Sequence, residues 1–105
     1  MVVIFALHSK YICAADNNTV GIVLGPGALS CGKYLDDKKY KDNEAQYLQW
    51  TFGFISGLNF ARGDNIGVGT DRFAVMKYVE NYCEEHPLRN YADAVIELHK
   101  VLSSK

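Results

Sequence analysis

Two cysteines 52 positions apart, Cys31 and Cys83, constrain this chain more than any other feature of its sequence. A length of 105 residues is enough for one small domain, and the core of such a domain leaves a thin margin of stability. A disulfide that closes a loop of this length adds about 4 kcal/mol in the chain-entropy model, a large share of that margin. The stability of the fold therefore depends on whether the protein reaches an oxidising compartment, in which the two sulfurs can form a bond.

The first fifteen residues are similar to an export signal. Residues 2–7 (VVIFAL) are apolar, and the small residues Ala14 and Ala15 precede Asp16 as they would at a cleavage site. We interpret residues 1–15 as the remnant of a signal peptide, which predicts a periplasmic or secreted protein. Its removal would take away Cys13 and leave one pair of cysteines, with only one way to pair. The alternatives are an ordered N-terminal strand and a cytosolic protein with three free thiols.

The charge balance excludes one class of partner. The chain has 11 Lys and Arg against 12 Asp and Glu, a net charge of −1, and no strongly basic stretch. Proteins held by phosphate contacts need a positive face, so we expect no nucleic-acid partner. The most charged run, residues 36–42 (DDKKYKD), mixes both signs and is typical of a solvated helix end.

The chain divides into an arm and a helical part. Residues 16–30 contain three glycines and a proline, which predicts an irregular N-terminal arm. In residues 31–105 the apolar residues recur with helical spacing. The predicted helices begin at Cys31, at Asn43 as N-cap (ending near Arg62, with Gly63 after it), at Thr70 as N-cap (ending at the Pro87 break), and near Asn90. This pattern predicts an all-α fold, a compact four-helix orthogonal bundle stapled by one disulfide.

The inward faces of the last two helices follow from the same spacing. The third is expected to bury Phe73, Met76, Val79 and Cys83, and the fourth Ala92, Val95, Ile96, His99 and Leu102. A histidine on such a stripe is more often a core residue than a ligand, and we interpret His99 in that way.

The second predicted helix carries the aromatic core, formed by Tyr47, Trp50 and Phe54 on one face. A further apolar face includes Phe52 and Ile55. A helix that is apolar nearly all round is usually buried, so we expect the other helices to wrap around this one.

Two glycines interrupt that helix and need an explanation. Together Gly53 and Gly57 cost about 2 kcal/mol relative to alanine, and with Ala61 they recur every four residues as a stripe of small residues. We expect the backbone of a neighbouring helix of this chain to pack along the stripe; the alternative is a partner protein. The same spacing occurs in transmembrane dimers, but Gln46 and Asn59 interrupt the apolar stretch, which argues against a membrane span.

The sequence contains no convincing catalytic or metal-binding motif. Residues 67–70 (GVGT) precede a helix, but both nucleotide fingerprints require a preceding strand, so we interpret them as part of a flexible connector. Cys83 and His86 lie three residues apart, yet zinc needs about four ligands and a nucleophilic cysteine must be unpaired. We therefore predict that the chain is not an enzyme and binds no metal or cofactor. His86, near a helix end beside Glu84 and Glu85, remains a candidate for sensing mild acid.

Three segments carry a family resemblance. They are SCGKYLDD at residues 30–37, the aromatic second helix with Trp50, and TDRFAVMKYVENYCEEHPLRN at residues 70–90. With these segments, about three quarters of the chain resembles the HdeA/HdeB family of small periplasmic acid-stress proteins. The resemblance implies a helical domain over residues 31–105 with one disulfide between Cys31 and Cys83. It also implies an acid-stress chaperone that binds unfolded protein clients, and a homodimer is among the assemblies it implies.

A second resemblance leads to a different function. GFISG at residues 53–57, followed by a helix that ends in a His-Pro turn, resembles the Tai-type immunity proteins, which inhibit exported amidases of type VI secretion. This likeness implies a specific inhibitor of one protein partner that works at neutral pH. A third alternative is an exported binding domain with neither role.

Overall fold

The computed structural model describes residues 21–104, in which four α-helices follow a short N-terminal segment. The helices are α1 (Cys31–Asp37), α2 (Lys41–Arg62), α3 (Arg72–Glu85) and α4 (Tyr91–Ser103). Over these residues no strand forms, and the one extended pairing is an isolated bridge between Ser30 and Asn90. The predicted all-α four-helix fold with a disulfide between Cys31 and Cys83 is confirmed. The proposed signal remnant at residues 1–15 lies outside the described residues and stays a prediction.

Helix ends with strong local signals lie where the sequence predicts them. Gly63 ends α2 in the left-handed conformation, with φ of 69°. At the start of α4, the Asn90 N–H donates to Asp93 Oδ2 at 3.1 Å. Ser30 caps α1, because its Oγ accepts from the Lys33 N–H at 3.0 Å.

Two predicted helix starts are wrong by a few residues. The second helix begins at Lys41, with Tyr40 as N-cap, and not at Asn43. The Tyr40 N–H donates to the Asp37 carbonyl at 3.1 Å, so a tight turn joins α1 to α2 and the helix resumes at once. Asp71 rather than Thr70 caps α3, since its carboxylate accepts from the Ala74 N–H at 2.9 Å.

The core lies between α1, α3 and α4, and α2 covers one side of it. The buried apolar residues are Cys31, Tyr34, Tyr47, Ile55, Val75, Val79, Cys83, Tyr91, Ala92, Ala94, Val95 and Leu98. Of the 22 residues of α2, only Tyr47, Thr51 and Ile55 are buried, and they form one narrow stripe. The expectation that the other helices wrap around α2 is therefore wrong. Its remaining aromatic residues lie at the edges of the core or in solvent.

Helix α3 is rotated relative to its predicted orientation. Val79 and Cys83 are buried as expected, but Val75 completes their stripe and Phe73 is 72% exposed. Residues two positions apart on a helix point in directions about 200° apart around its axis, so Val75 and Phe73 cannot both face the core. The Phe73 ring instead lies under the Arg72 guanidinium, whose Cζ is 4.9 Å from the ring centroid.

Helix α4 buries a wider face than the one predicted. Ala92, Val95 and His99 are buried as expected, whereas Ile96 and Leu102 are half-buried. The stripe also includes residues that the spacing did not single out, namely Tyr91, Ala94 and Leu98.

The described part of the N-terminal arm is more ordered than predicted. Residues Gly25–Ala28 form a 3₁₀ turn beside Trp50, where a Cβ on Gly27 would overlap the indole ring. The Tyr91 N–H donates to the Leu29 carbonyl at 2.7 Å, which ties the arm to the start of α4.

Candidate protein-binding surface

The disulfide joins the first turn of α1 to the last turn of α3. Cys31 and Cys83 are fully buried, with their Cα atoms 4.9 Å apart. The loop that they close contains the whole of α2. Helices α1 and α3 are therefore held together covalently, whereas α2 is held by its packing and by its two connections.

Three tyrosines from three helices form the polar centre of the core. The ring centroids of Tyr34, Tyr47 and Tyr91 are 4.8 to 4.9 Å apart, a range in which edge-to-face pairs are favourable. Thr51 donates its hydroxyl proton to the Tyr47 carbonyl at 2.7 Å, and the Tyr91 hydroxyl lies 2.6 Å from Thr51 Oγ1. Burial raises the pKa of all three phenols well above its ordinary value. The hydroxyls accordingly stay neutral. Those of Tyr47 and Tyr91 form hydrogen bonds, whereas the buried Tyr34 hydroxyl has no partner in the described residues.

The predicted aromatic core divides into two parts. Tyr47 belongs to the tyrosine cluster, whereas Trp50 and Phe54 are half-buried and stack on each other with centroids 5.0 Å apart. The indole Nε1–H of Trp50 donates to the Leu24 carbonyl at 2.7 Å. Trp50 therefore supports the N-terminal arm and does not lie at the centre of the bundle.

The small-residue stripe of α2 faces away from the rest of the chain. Gly53, Gly57 and Ala61 are exposed, and a Cβ on either glycine would meet no other atom within 4 Å. The expectation that a neighbouring helix of this chain packs there is wrong, because the buried stripe through Thr51 lies on the opposite side of α2. The alternative of a partner protein stays a prediction.

An aromatic side chain lies on the same side of the helix. Phe60 follows Gly57 by one helical turn and is 93% exposed. We call Gly53, Gly57, Phe60 and Ala61 the outer face of α2. Other large apolar side chains that are 65% to 95% exposed are Ile22, Leu24, Tyr40, Val68, Phe73 and Leu88.

Carboxylates of α1 and α3 form contacts between helices. Asp37 Oδ1 lies 2.9 Å from Lys33 Nζ, and the Tyr47 hydroxyl donates to Asp37 Oδ2 at 2.9 Å, which links α1 to α2. The hydrogen bonds from Lys33 and Tyr47 hold the pKa of Asp37 below its usual value.

A second ion pair joins α1 to α3. Lys38 Nζ lies 3.2 Å from Glu80 Oε2. Burial acts to raise the pKa of Glu80, but the hydrogen bonds and charges of Lys38 and Lys77 outweigh it, and the pKa is lowered. The contacts made by both carboxylates therefore depend on their staying ionised.

The loop between α2 and α3 is held in place by one side chain. Asn59 Nδ2 donates to the Ile66 carbonyl at 3.0 Å, and the Ile66 N–H donates to Asn59 Oδ1 at 3.0 Å. The prediction of a plain flexible connector missed this attachment. The helix after the loop begins at the carboxylate of Asp71, which would repel a phosphate.

His86 lies at the end of α3, away from the outer face of α2. It is exposed, and its ring centroid is 4.5 Å from that of Tyr82. In residues 21–104 its imidazole forms no ion pair. A role for His86 in sensing acid stays a prediction.

In the described residues, no group of three or more His, Cys, Asp or Glu side chains is arranged to hold a metal ion. No helix of the same region has the length and apolar character needed to cross a bilayer. Comparisons with protein-family models, with curated proteins and with solved structures found no match.

Proposed function

We propose that this chain is an exported, non-enzymatic protein that binds unfolded client proteins under acid stress. The outer face of α2 carries the proposal, because Phe60 and two glycines lie open on a helix that buries three side chains. Phe60 is the one large apolar side chain of this face, and the small residues around it leave room for a partner to approach the helix. A disulfide between Cys31 and Cys83 fits an oxidising compartment. The resemblance to the HdeA/HdeB family supports the acid-stress role.

Charge supplies the acid trigger. At neutral pH the formal charge of the chain is −1. With every carboxylate protonated, the chain from residue 16 onward would carry about +12, from 10 Lys and Arg and 2 His. Such a charge favours expansion of the bundle. Protonation also removes the two contacts that depend on ionised Asp37 and Glu80.

The covalent link limits how far the bundle opens. The disulfide keeps α1 and α3 together when their ion pair is lost. Helix α2 has no covalent link of its own to the core and buries three of its 22 residues, whereas the shorter α3, with 14 residues, also buries three and holds a disulfide cysteine. Helix α2 is therefore the element that loosens first. Loosening would add the inner apolar side chains of α2 to those already exposed.

Two measurements at about pH 2.5 and about pH 7 test the proposal. One is the aggregation of an acid-sensitive client in the presence of the protein, and the other is the binding of a dye that reports exposed apolar surface. We expect the suppression of aggregation and the binding of the dye to be much stronger at the acid pH, where the inner side chains of α2 add to Phe60, than at neutral pH. A protein that stays folded and inert in acid would contradict acid-triggered client binding.

A matched pair of variants tests the surface itself. Phe60→Ser removes the exposed ring of the outer face, and we expect it to weaken client binding about fivefold to tenfold. Leu88→Ser removes an equally exposed side chain from the turn between α3 and α4 and serves as the control. Equal effects of the two changes would show that the outer face has no special role.

A second candidate is a specific inhibitor of a secreted enzyme. It is favoured by the position of GFISG, because Gly53 and Gly57 at its two ends face solvent in the folded molecule. Such a surface is available to one partner without any unfolding. An adjacent gene for a secreted amidase would identify the enzyme to test.

Inhibition of that enzyme at about pH 7 would distinguish the two functions. Gly53→Lys places a long side chain on the stripe, and we expect it to abolish inhibition and leave the fold intact. Lys41→Gln, at the far end of α2, is the control. Undiminished inhibition by Gly53→Lys would exclude the stripe as the binding surface.

A further inference from the structure

A groove of about 600 Å³ lies between α2 and α4, beside the start of the described chain. Apolar side chains from three segments line it: Phe54 and Leu58 of α2, Ile96 of α4, and Ile22. Its volume is within the range of small-molecule sites in proteins, about 300 to 1,000 Å³. The groove is separate from the outer face of α2, since no residue of that face lines it.

Basic groups from the C-terminal parts of both helices also line the groove. Arg62 is the last residue of α2, and His99 and Lys100 belong to the last two turns of α4. Arg62 forms no ion pair in residues 21–104, whereas Lys100 pairs with Glu97 at 3.0 Å. Asp93 also lines the groove, and its carboxylate accepts a hydrogen bond from the Asn90 N–H. The groove thus combines an apolar lining with a guanidinium that has no carboxylate partner in the described chain.

A buried imidazole gives an independent indication of a ligand. His99 is 8% exposed, and its Nε2 is buried without a hydrogen-bond partner in the part of the chain that the structure describes. Buried polar atoms of side chains nearly always have such a partner. Nε2 itself has almost no accessible surface, so in its Nε2–H form the ring can donate a hydrogen bond to a group in the groove only after it turns toward that group.

We propose that this groove binds an elongated apolar molecule that ends in a carboxylate, of the chemical class of a medium-chain fatty acid. The hydrocarbon chain lies along Leu58 and Ile96, and the carboxylate accepts hydrogen bonds from Arg62. The His99 ring turns toward the groove and donates its Nε2–H to the same carboxylate. Arginine binds a carboxylate through two parallel hydrogen bonds, which fixes the orientation of the ligand. This site goes beyond client binding and does not depend on it.

The alternative to a ligand site is that the basic residues have only a structural role. Cations near a helix C-terminus are stabilised by the helix dipole, and Arg62 and Lys100 both lie near such an end. In that case the groove would take up apolar molecules without regard to a carboxylate. The two explanations differ in whether the charged end of a ligand matters.

Titration of the full chain with sodium decanoate at about pH 7, below the concentration at which it forms micelles, distinguishes them. Decan-1-ol, which has the same chain length and no charge, is the comparison ligand. We expect saturable binding of one decanoate by calorimetry, about tenfold tighter than decan-1-ol. In nitrogen-edited NMR spectra the ring signals of His99 should shift, whereas those of the exposed His86 should not.

Three variants complete the experiment. We expect Arg62→Gln to weaken decanoate binding at least about fivefold and leave decan-1-ol binding unchanged. Lys39→Gln, an exposed change outside the groove, should leave both affinities unchanged. Leu58→Trp, which fills the groove, should abolish binding of both ligands. Circular dichroism checks that each variant is folded.

Three results would overturn the proposal. They are equal affinity for decanoate and decan-1-ol, an unchanged decanoate affinity in Arg62→Gln, and the absence of saturable binding by the full chain. Because Arg62 and Lys39 are both exposed, a loss of folding is not an expected result for either substitution.

Discussion

At the scale of single residues, three glycines of this protein lie in two contrasting environments, one open and one tightly packed. Gly53 and Gly57 lie on the open side of α2 with no atom near the position of a Cβ, whereas Gly27 is pressed against the Trp50 ring. Glycine is needed only at the last of these positions for the isolated chain to fold. The two helical glycines lower the stability of the chain, and a partner surface would give them a function.

Replacing Gly53 with alanine should therefore stabilise the protein. Alanine is favoured over glycine in a helix by about 1 kcal/mol, and here the added methyl group meets nothing. Urea unfolding measures the gain as a higher midpoint with an unchanged slope. A destabilised Gly53→Ala variant would show that a segment of the chain covers the stripe.

The same substitution at Gly27 should have the opposite effect. Its methyl group would overlap the Trp50 indole, and overpacking of this kind costs about 1 to 3 kcal/mol. We expect a lower urea midpoint and a red shift of Trp50 fluorescence, because the 3₁₀ turn must move away from the ring. Unchanged fluorescence and stability would contradict the packing of the arm against α2.

At the scale of helices, the disulfide and α2 have different roles. The bond between Cys31 and Cys83 joins α1 to α3, and the core packs around it with α4. Helix α2 adds Tyr47, Thr51 and Ile55 to that core and leaves its outer face to solvent. The molecule therefore consists of a covalently joined part and a helix that is fully buried only along one stripe, with Trp50, Phe52 and Phe54 packed against the edge of the core.

Removing both sulfurs should test the first of these roles. We expect the double variant Cys31→Ala, Cys83→Ala to lose about 4 kcal/mol of stability, the chain-entropy value for a loop of this length. Urea unfolding of the variant and of the oxidised protein gives the difference. A loss below about 1 kcal/mol would mean that the crosslink contributes little beyond packing.

Local sequence signals predicted some of these elements well. The count of cysteines was enough to predict the disulfide pair. A few neighbouring residues were enough to predict the end of α2 at Gly63 and the start of α4 near Asn90. The orientation of α2 was not predictable in this way, because apolar residues on two of its faces satisfy the helical period equally well. Its glycine stripe was identified correctly and assigned to the wrong surroundings.

Features that depend on distant segments could not be read from periodicity. Tyr34 and Tyr91 join Tyr47 from different helices, and only the folded chain brings the three rings together. The groove that contains Arg62 and His99 likewise depends on how α2 packs against α4. A buried histidine on a helical stripe gave no sequence signal of an unpaired nitrogen.

At the scale of the whole molecule, pH changes both charge and contacts. The pKa values of Asp37 and Glu80 are lower in the folded protein than in the unfolded chain. Their contribution to stability is therefore complete above their ordinary pKa values, about 4, and is lost as the pH falls through the folded values. The growing positive charge acts in the same direction.

The free energy of unfolding should accordingly decrease below about pH 4. We expect the double variant Asp37→Asn, Glu80→Gln to be less stable at neutral pH and to lose less stability on acidification. Glu84→Gln, an exposed change without an ion pair in the described residues, should keep the original pH dependence. Urea midpoints measured from neutral pH downward compare the original protein with both variants. The same dependence of the midpoint on pH in all three proteins would contradict the role of the two carboxylates.

The central claim is that α2 is held along one stripe and loosens before the part joined by the disulfide. Amide hydrogen exchange at about pH 3, expressed as protection factors so that the intrinsic pH effect cancels, measures this most directly. We predict protection in α2 at least about tenfold below that in α3, with the largest loss toward Arg62. Equal protection in α2 and α3, or loss of all helices in a single step, would contradict it.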